Sequence, residues 1–201
     1  IVLMLFVPIM RVIADQPHDY FYRLFSRVSD WERALPGNAA LLFLKNMGAA
    51  LSMFNWSNAS GWVDSIAKRP ALDFVSAALF ILGVVLTLIR YIQTKKWTDL
   101  LLVLSVPVLL LPSALSLAFP EENPSMARAL GASLPVFILA GSGLAVVFSS
   151  YRQNLAGRKG LIISIAAAIL LLFGAARQNY RLTFTDYKDT YLASSWNASE
   201  M

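Results

Sequence analysis

Leu100-Leu-Leu-Val-Leu-Ser-Val-Pro-Val-Leu-Leu-Leu-Pro-Ser-Ala-Leu-Ser-Leu-Ala-Phe-Pro120 carries no charged side chain from end to end. A helix needs roughly 20 apolar residues to cross about 30 Å of hydrocarbon, with about 17 as the lower limit. This stretch is long enough, and it has company. Segments 129–151 and 160–176 are also uncharged, and 74–89 has only Asp73 and Arg90 at its edges. Four such segments in succession predict an all-α fold: a polytopic transmembrane helix bundle with spans near 71–92, 99–119, 125–150 and 160–176.

Composition agrees. Of 201 residues, 57% are hydrophobic and only 14% are charged, against about 25% charged in a soluble domain. There is no cysteine, which excludes disulfides, a thiolate zinc site and a cysteine nucleophile. A single histidine, His18, argues against a histidine metal cluster. The net charge of +5 would suggest nucleic acid in a soluble chain. Here it points to cytoplasmic loops and lipid phosphates, and nucleic acid is not an expected partner.

The chain opens on Ile1 inside an apolar run, 1–10, without the basic start of a signal peptide. That run reads as the end of an earlier span, and the whole as an internal fragment of a longer protein. Residues 11–70 form the long polar region. Tyr20, Phe21, Tyr22, Leu24 and Phe25 alternate there with Arg11, Asp15, Asp19, Arg23, Arg27, Asp30, Glu32 and Arg33. This mixture predicts amphipathic helices at the membrane interface. Residues 38–54 continue with one wide apolar helical face, and 55–70 reads as a loop.

Within the spans, Thr98 is the expected N-cap of the second, which Pro107 and Pro112 should kink. Asn123 is the expected N-cap of the third, with Pro124 in its first turn. Gly131, Gly141 and Gly143 should give close-packing surfaces, as should Ala166 to Ala168 and Gly174 on the fourth. The short loops set the orientation. Arg90, Lys95 and Lys96 follow the first span, and Arg152, Arg158 and Lys159 follow the third. By the positive-inside rule both loops are cytoplasmic. Parity then puts 11–70, 120–128 and a tail from 178 to 201 outside.

Three groups could carry chemistry. Glu121, Asn123, Ser125 and Arg128 crowd the start of the third span. An arginine at a helix N-terminus is a ready grip for a lipid phosphate or sugar; the same residues also suit a capped turn with a surface Glu–Arg pair. Arg23, Arg27, Lys68 and Arg69 could hold a lipid-linked phosphate or simply snorkel to headgroups. Trp56, Trp62 and Asp64 could stack on a sugar ring or belong to an aromatic belt. Asp73 is placed to meet the dipole of the first span. No Ser-His-Asp set, P-loop or dinucleotide glycine motif is present, and no cofactor site is visible; a divalent metal stays open, with Glu121 and Glu122 alone too few to argue for one.

Several strings recur in order: 17–29, Met53-Phe-Asn-Trp56, Lys68-Arg-Pro-Ala-Leu-Asp73, Leu111-Pro-Ser113, Pro120-Glu-Glu-Asn-Pro-Ser125 with Arg128 and Gly131, and Ser195-Trp-Asn197. Together they resemble bacterial polytopic glycosyltransferases of the GT-C type, nearest to the dolichyl-phosphate-mannose–protein mannosyltransferase and aminoarabinose transferase-like family. The resemblance implies a bacterial cytoplasmic-membrane enzyme. It would take a sugar from a polyprenyl-phosphate donor and pass it, with inversion, to a glycan, lipid or protein acceptor outside. It also implies a catalytic carboxylate in a first external loop, upstream of Ile1. Carrier or donor contacts fall on Arg128, then Glu121, Asn123, Lys68 and Arg69, with Arg23 as a further phosphate contact. Asn58-Ala59 and Trp62-Val-Asp64 depart from the Gly-Asp and Trp-x-His that relatives carry before the first of these spans. Two other classes compete: a transporter or flippase of lipid-linked sugars, which needs ionisable groups deep in the spans, and a non-catalytic accessory subunit.

Overall fold

The computed structural model of the chain describes residues 2–58, 65–154 and 158–194, except for the side chains of 2–5, 23, 151–154 and 158. The architecture is all-α. Helices α1 (Val2–Asp15), α2 (Pro17–Val28) and α3 (Ala39–Ser52) precede the long elements. These are α4 (Phe74–Thr94), α5 (Trp97–Leu109) with its short continuation α6 (Leu111–Ala114), α7 (Leu130–Asn154) and α8 (Arg158–Arg181). A π-helical segment, Leu182–Tyr187, joins α8 to α9 (Lys188–Ser194). Among the described residues, four helical stretches are long and apolar enough to cross a membrane: Phe74–Thr94, Trp97–Ala114, Leu130–Ser150 and Lys159–Ser194. Their outward faces are the large exposed hydrophobics, such as Ile81, Leu104, Phe137 and Leu170, as lipid-facing helices require.

The α4 helix starts at Phe74, three residues past the expected 71. Asp73 is the N-cap, accepting from the Ser76 backbone N–H at 3.0 Å. The second span is interrupted next to its prolines. Pro107 lacks the N–H and its ring crowds the preceding turn, so α5 ends at Leu109, and α6 starts with Pro112 in its first turn. Thr98 is not the cap: the helix begins at Trp97, with Lys96 as N-cap and no side-chain bond.

Core packing centres on α4 against α7. An added Cβ on Gly83 would collide with the Leu139 carbonyl, and one on Gly143 would sit 2.5 Å from the Leu79 carbonyl. Only glycine allows this approach. Gly143 was legible as a contact, but Gly131 meets only the Leu109 side chain, and Gly141 and Gly174 meet nothing within 4 Å. Their open surroundings place them on outward surfaces. Phe54 packs on Phe80 with ring centroids 5.6 Å apart, in a core with Met53, Leu110, Val136 and Leu139.

At one end of the bundle Arg90 grips Asp99 with both arms, Nε to Oδ2 at 2.8 Å and Nη2 to Oδ1 at 2.5 Å. At the other end α8 returns to α4: Asn179 donates to Asp73 Oδ2 at 3.1 Å, and Gln178 Oε1 accepts from the Phe74 N–H at 3.3 Å. The helix that carries the fourth span therefore does not stop near 176. No glycine or proline follows Gly174, and the helix runs on past the expected start of the tail.

Candidate functional site

The polar end of the bundle is organised by the connection between α6 and α7. Its middle is a short 3₁₀ turn, Pro120–Glu122. Asn123 anchors that turn. Its Oδ1 accepts from Ser113 Oγ at 2.6 Å, and its Nδ2 donates to the Asn46 carbonyl at 2.9 Å. Asn46, buried in α3, donates in turn to the carbonyls of Ala114 and Ser116, both at 3.1 Å. Ser113 Oγ also accepts from the Ser125 N–H at 3.0 Å. This is a closed polar strut beneath the loop.

That geometry corrects the reading of Asn123 as the cap of the third span: its amide bonds Ser113 and the Asn46 carbonyl, and α7 does not begin until Leu130. A helix N-terminus is therefore not what faces the acidic residues.

Above the strut lies an ionic cluster that brings together residues distant in sequence. Glu122 accepts from Arg128 at one oxygen and lies 3.4 Å from Arg27 Nη2 at the other. Arg27 also donates to Glu32 at 3.1 Å, and its guanidinium lies 4.0 Å from the Phe119 ring centroid. Arg33 pairs with Glu121 and flanks the same ring at 5.6 Å. The Arg27 carbonyl accepts from the Ala118 N–H at 3.1 Å, fixing α2 to the loop. Glu121's carboxyl is held below its ordinary range by its own backbone N–H and then by Arg33. Two donors inside the cluster, Arg27 Nε and Arg128 Nη1, are buried with no hydrogen-bond partner among the described residues. A buried unpaired N–H on a cation is costly, and an added acceptor would relieve it.

Of the residues expected at the site, Glu121 and Arg128 do share this cluster, although Glu121 pairs with Arg33 and not with Arg128. Arg69 lies elsewhere, 3.3 Å from Asp186 at the start of a separate cleft. Lys68 beside it is exposed, in a left-handed conformation with φ 58°. The side chain of Arg23, Trp62, Asp64 and the string from Ser195 to Asn197 lie outside the described residues. The sequence reading did not single out Glu122, which joins Arg27 to Arg128, or Phe119, which lies against Arg27 and Arg33. Glu122 was half visible as the second of two adjacent acids, but its pairing across to α2 has no local signal.

Compared with known proteins, the chain matches no family model, no curated protein sequence and no solved structure.

Proposed function

We propose that this chain is a membrane portion of a glycosyltransferase that moves a sugar from a polyprenyl-phosphate carrier to an acceptor outside a bacterial cytoplasmic membrane. The observation that carries the reading is the Arg27–Glu122–Arg128 triangle: two guanidiniums share one carboxylate, and each keeps a buried N–H without an acceptor among the described residues. A phosphate offers several strong acceptor oxygens and suits arginine's fork. The triangle sits at the polar end of the bundle, where a headgroup lies once its chain is in the hydrocarbon. The resemblance to the GT-C glycosyltransferases supports the same assignment. The basic residues Arg90, Lys95 and Lys96 at the opposite end support an extracytoplasmic position for the cluster.

The test is binding of polyprenyl phosphate against polyprenol to the chain in nanodiscs, with Arg128→Ala and Arg27→Ala. Hydrogen bonds to charged groups are worth about 1.5–3 kcal/mol, so each variant should lose roughly ten- to hundredfold in preference for the phosphate. Equal preference in wild type and both variants rejects the assignment.

A further inference from the structure

We infer that the Glu122 carboxylate occupies the place of the ligand's phosphate, and that the phosphate binds by displacing it from Arg27 and Arg128. The inference rests on the lipid-phosphate reading above and adds an internal competitor for that site.

The unused donors define the place. A guanidinium presents its N–H groups along edges, and an anion with two oxygens takes both arms of one edge. Glu122 takes a single arm from each arginine. One of its oxygens accepts from Arg128 Nη2, and the other lies 3.4 Å from Arg27 Nη2. The adjacent arm of each edge, Arg128 Nη1 and Arg27 Nε, is buried without a partner among the described residues. Two carboxylate oxygens spread over two arginines cannot complete both edges. A phosphate brings three strong acceptor oxygens, one of which can be shared between the edges. It therefore satisfies all four arms from the position that Glu122 holds.

Charge gives the reason for displacement. The ion pairs of the cluster join Arg27, Arg33 and Arg128 to Glu32, Glu121 and Glu122. These charges cancel, so a phosphate added beside them would meet no net attraction and a carboxylate at close range. Of the three acids, Glu122 is the one paired with both arginines that carry an unused arm. The arginines are held from elsewhere. Arg27 lies 4.0 Å from the Phe119 ring centroid and donates to Glu32 at 3.1 Å. The Arg128 backbone N–H donates to Ser125 Oγ at 3.4 Å. The Glu122 backbone is fixed too, by its N–H on the Phe119 carbonyl at 3.0 Å. Only its side chain has to turn, and that side chain is already 35% exposed.

The experiment compares polyprenyl phosphate and polyprenol binding to the chain in nanodiscs for wild type, Glu122→Gln and Glu122→Asp. Glutamine keeps the shape without the charge. Aspartate keeps the charge but is one methylene short of bridging both arginines, and it carries the test if Glu122→Gln does not fold. Removing the competitor should tighten polyprenyl phosphate binding, by roughly tenfold in Glu122→Gln, the worth of one charge-assisted hydrogen bond, and less in Glu122→Asp. Polyprenol binding should not change, and adding Arg128→Ala to Glu122→Gln should cancel the gain. The ligand-free Glu122→Gln protein should melt below wild type, because two guanidiniums lose a counterion. Tighter binding by a less stable protein is the opposite of what a purely structural carboxylate gives. Unchanged or weaker phosphate binding in both variants overturns the inference, as does a gain that survives Arg128→Ala. If wild type prefers the phosphate and loses that preference with either arginine, the lipid-phosphate reading stands and the displacement alone falls. If neither wild type nor Glu122→Gln prefers polyprenyl phosphate to polyprenol, both fall.

Discussion

Asn179 donates to Asp73 across 3.1 Å, so the end of the last long helix closes on the N-cap of the first. Asp73 also accepts from the Ser76 N–H at 3.0 Å and its hydroxyl at 2.7 Å. Burial pushes its carboxyl up, but these hydrogen bonds outweigh it, and the net shift is downward. A carboxyl with a depressed folded value stabilises the fold above its unfolded value of about 3.9, and that stability is lost as pH falls through the lower folded value. The thermal stability of wild type should therefore fall below about pH 4. Asp73→Asn should flatten that part of the profile, and Asp73→Ala should cost about 1–2 kcal/mol at neutral pH as a lost cap. An unchanged acid limb in Asp73→Asn would assign the loss to other groups.

Gly83 and Gly141 are both helical glycines, and substitution should separate them. Gly83→Ala drives a Cβ into the Leu139 carbonyl, a backbone group that cannot swing aside. Overpacking of this kind costs about 1–3 kcal/mol, sometimes more. Gly141 has nothing within 4 Å, so Gly141→Ala should be neutral or stabilise by up to about 1 kcal/mol through helix propensity. Melting temperatures of the two variants in one detergent check the contrast. Equal effects would mean that α4 and α7 do not approach as closely as described.

How legible was this molecule beforehand? Helix existence was readable because uncharged runs of this length have one solution in lipid. The interruption of the second span was readable because Pro107 and Pro112 act locally. Boundaries were less readable: Asp73, expected to meet the helix dipole inside a span from 71, is the N-cap of a helix that starts at Phe74, and elsewhere tertiary contacts claim the capping residue. Asn123 has every property of an N-cap, yet Ser113 and Asn46 use its amide first. The site followed the same division. Arg128 and Glu121 were found from crowding in one short loop, whereas the link from Glu122 to Arg27 depends on how α2 folds back. The split of Arg69 from Arg128 into two places was likewise invisible, since it is set by where α8 ends.

Asn123 offers a direct test of strut against ligand contact. Asn123→Ala removes the acceptor of Ser113 Oγ and the donor to the Asn46 carbonyl, leaving buried groups unpaired. Each unsatisfied group costs about 1–3 kcal/mol, so the variant should lose several degrees in melting temperature. Polyprenyl phosphate affinity per folded molecule should stay within about twofold, far short of the tenfold that 1.4 kcal/mol represents. A large loss of affinity in protein of normal stability would return Asn123 to the site.

Arg90 and Asp99 tie α4 to α5 at the opposite end of the bundle. The Asp99 side chain is 6% exposed and that of Arg90 is 55% exposed. Removing the arginine alone therefore strands a buried carboxylate. A fully buried pair broken this way costs about 3–5 kcal/mol; with one partner half exposed the loss should be smaller, about 1–3 kcal/mol. Replacing both with leucine removes the stranded charge and fills the space with apolar atoms. The double variant Arg90→Leu/Asp99→Leu should then melt higher than Arg90→Leu alone, and the double-mutant cycle should give a coupling above about 0.5 kcal/mol. Additive effects would show that the two side chains do not act as a pair in the membrane.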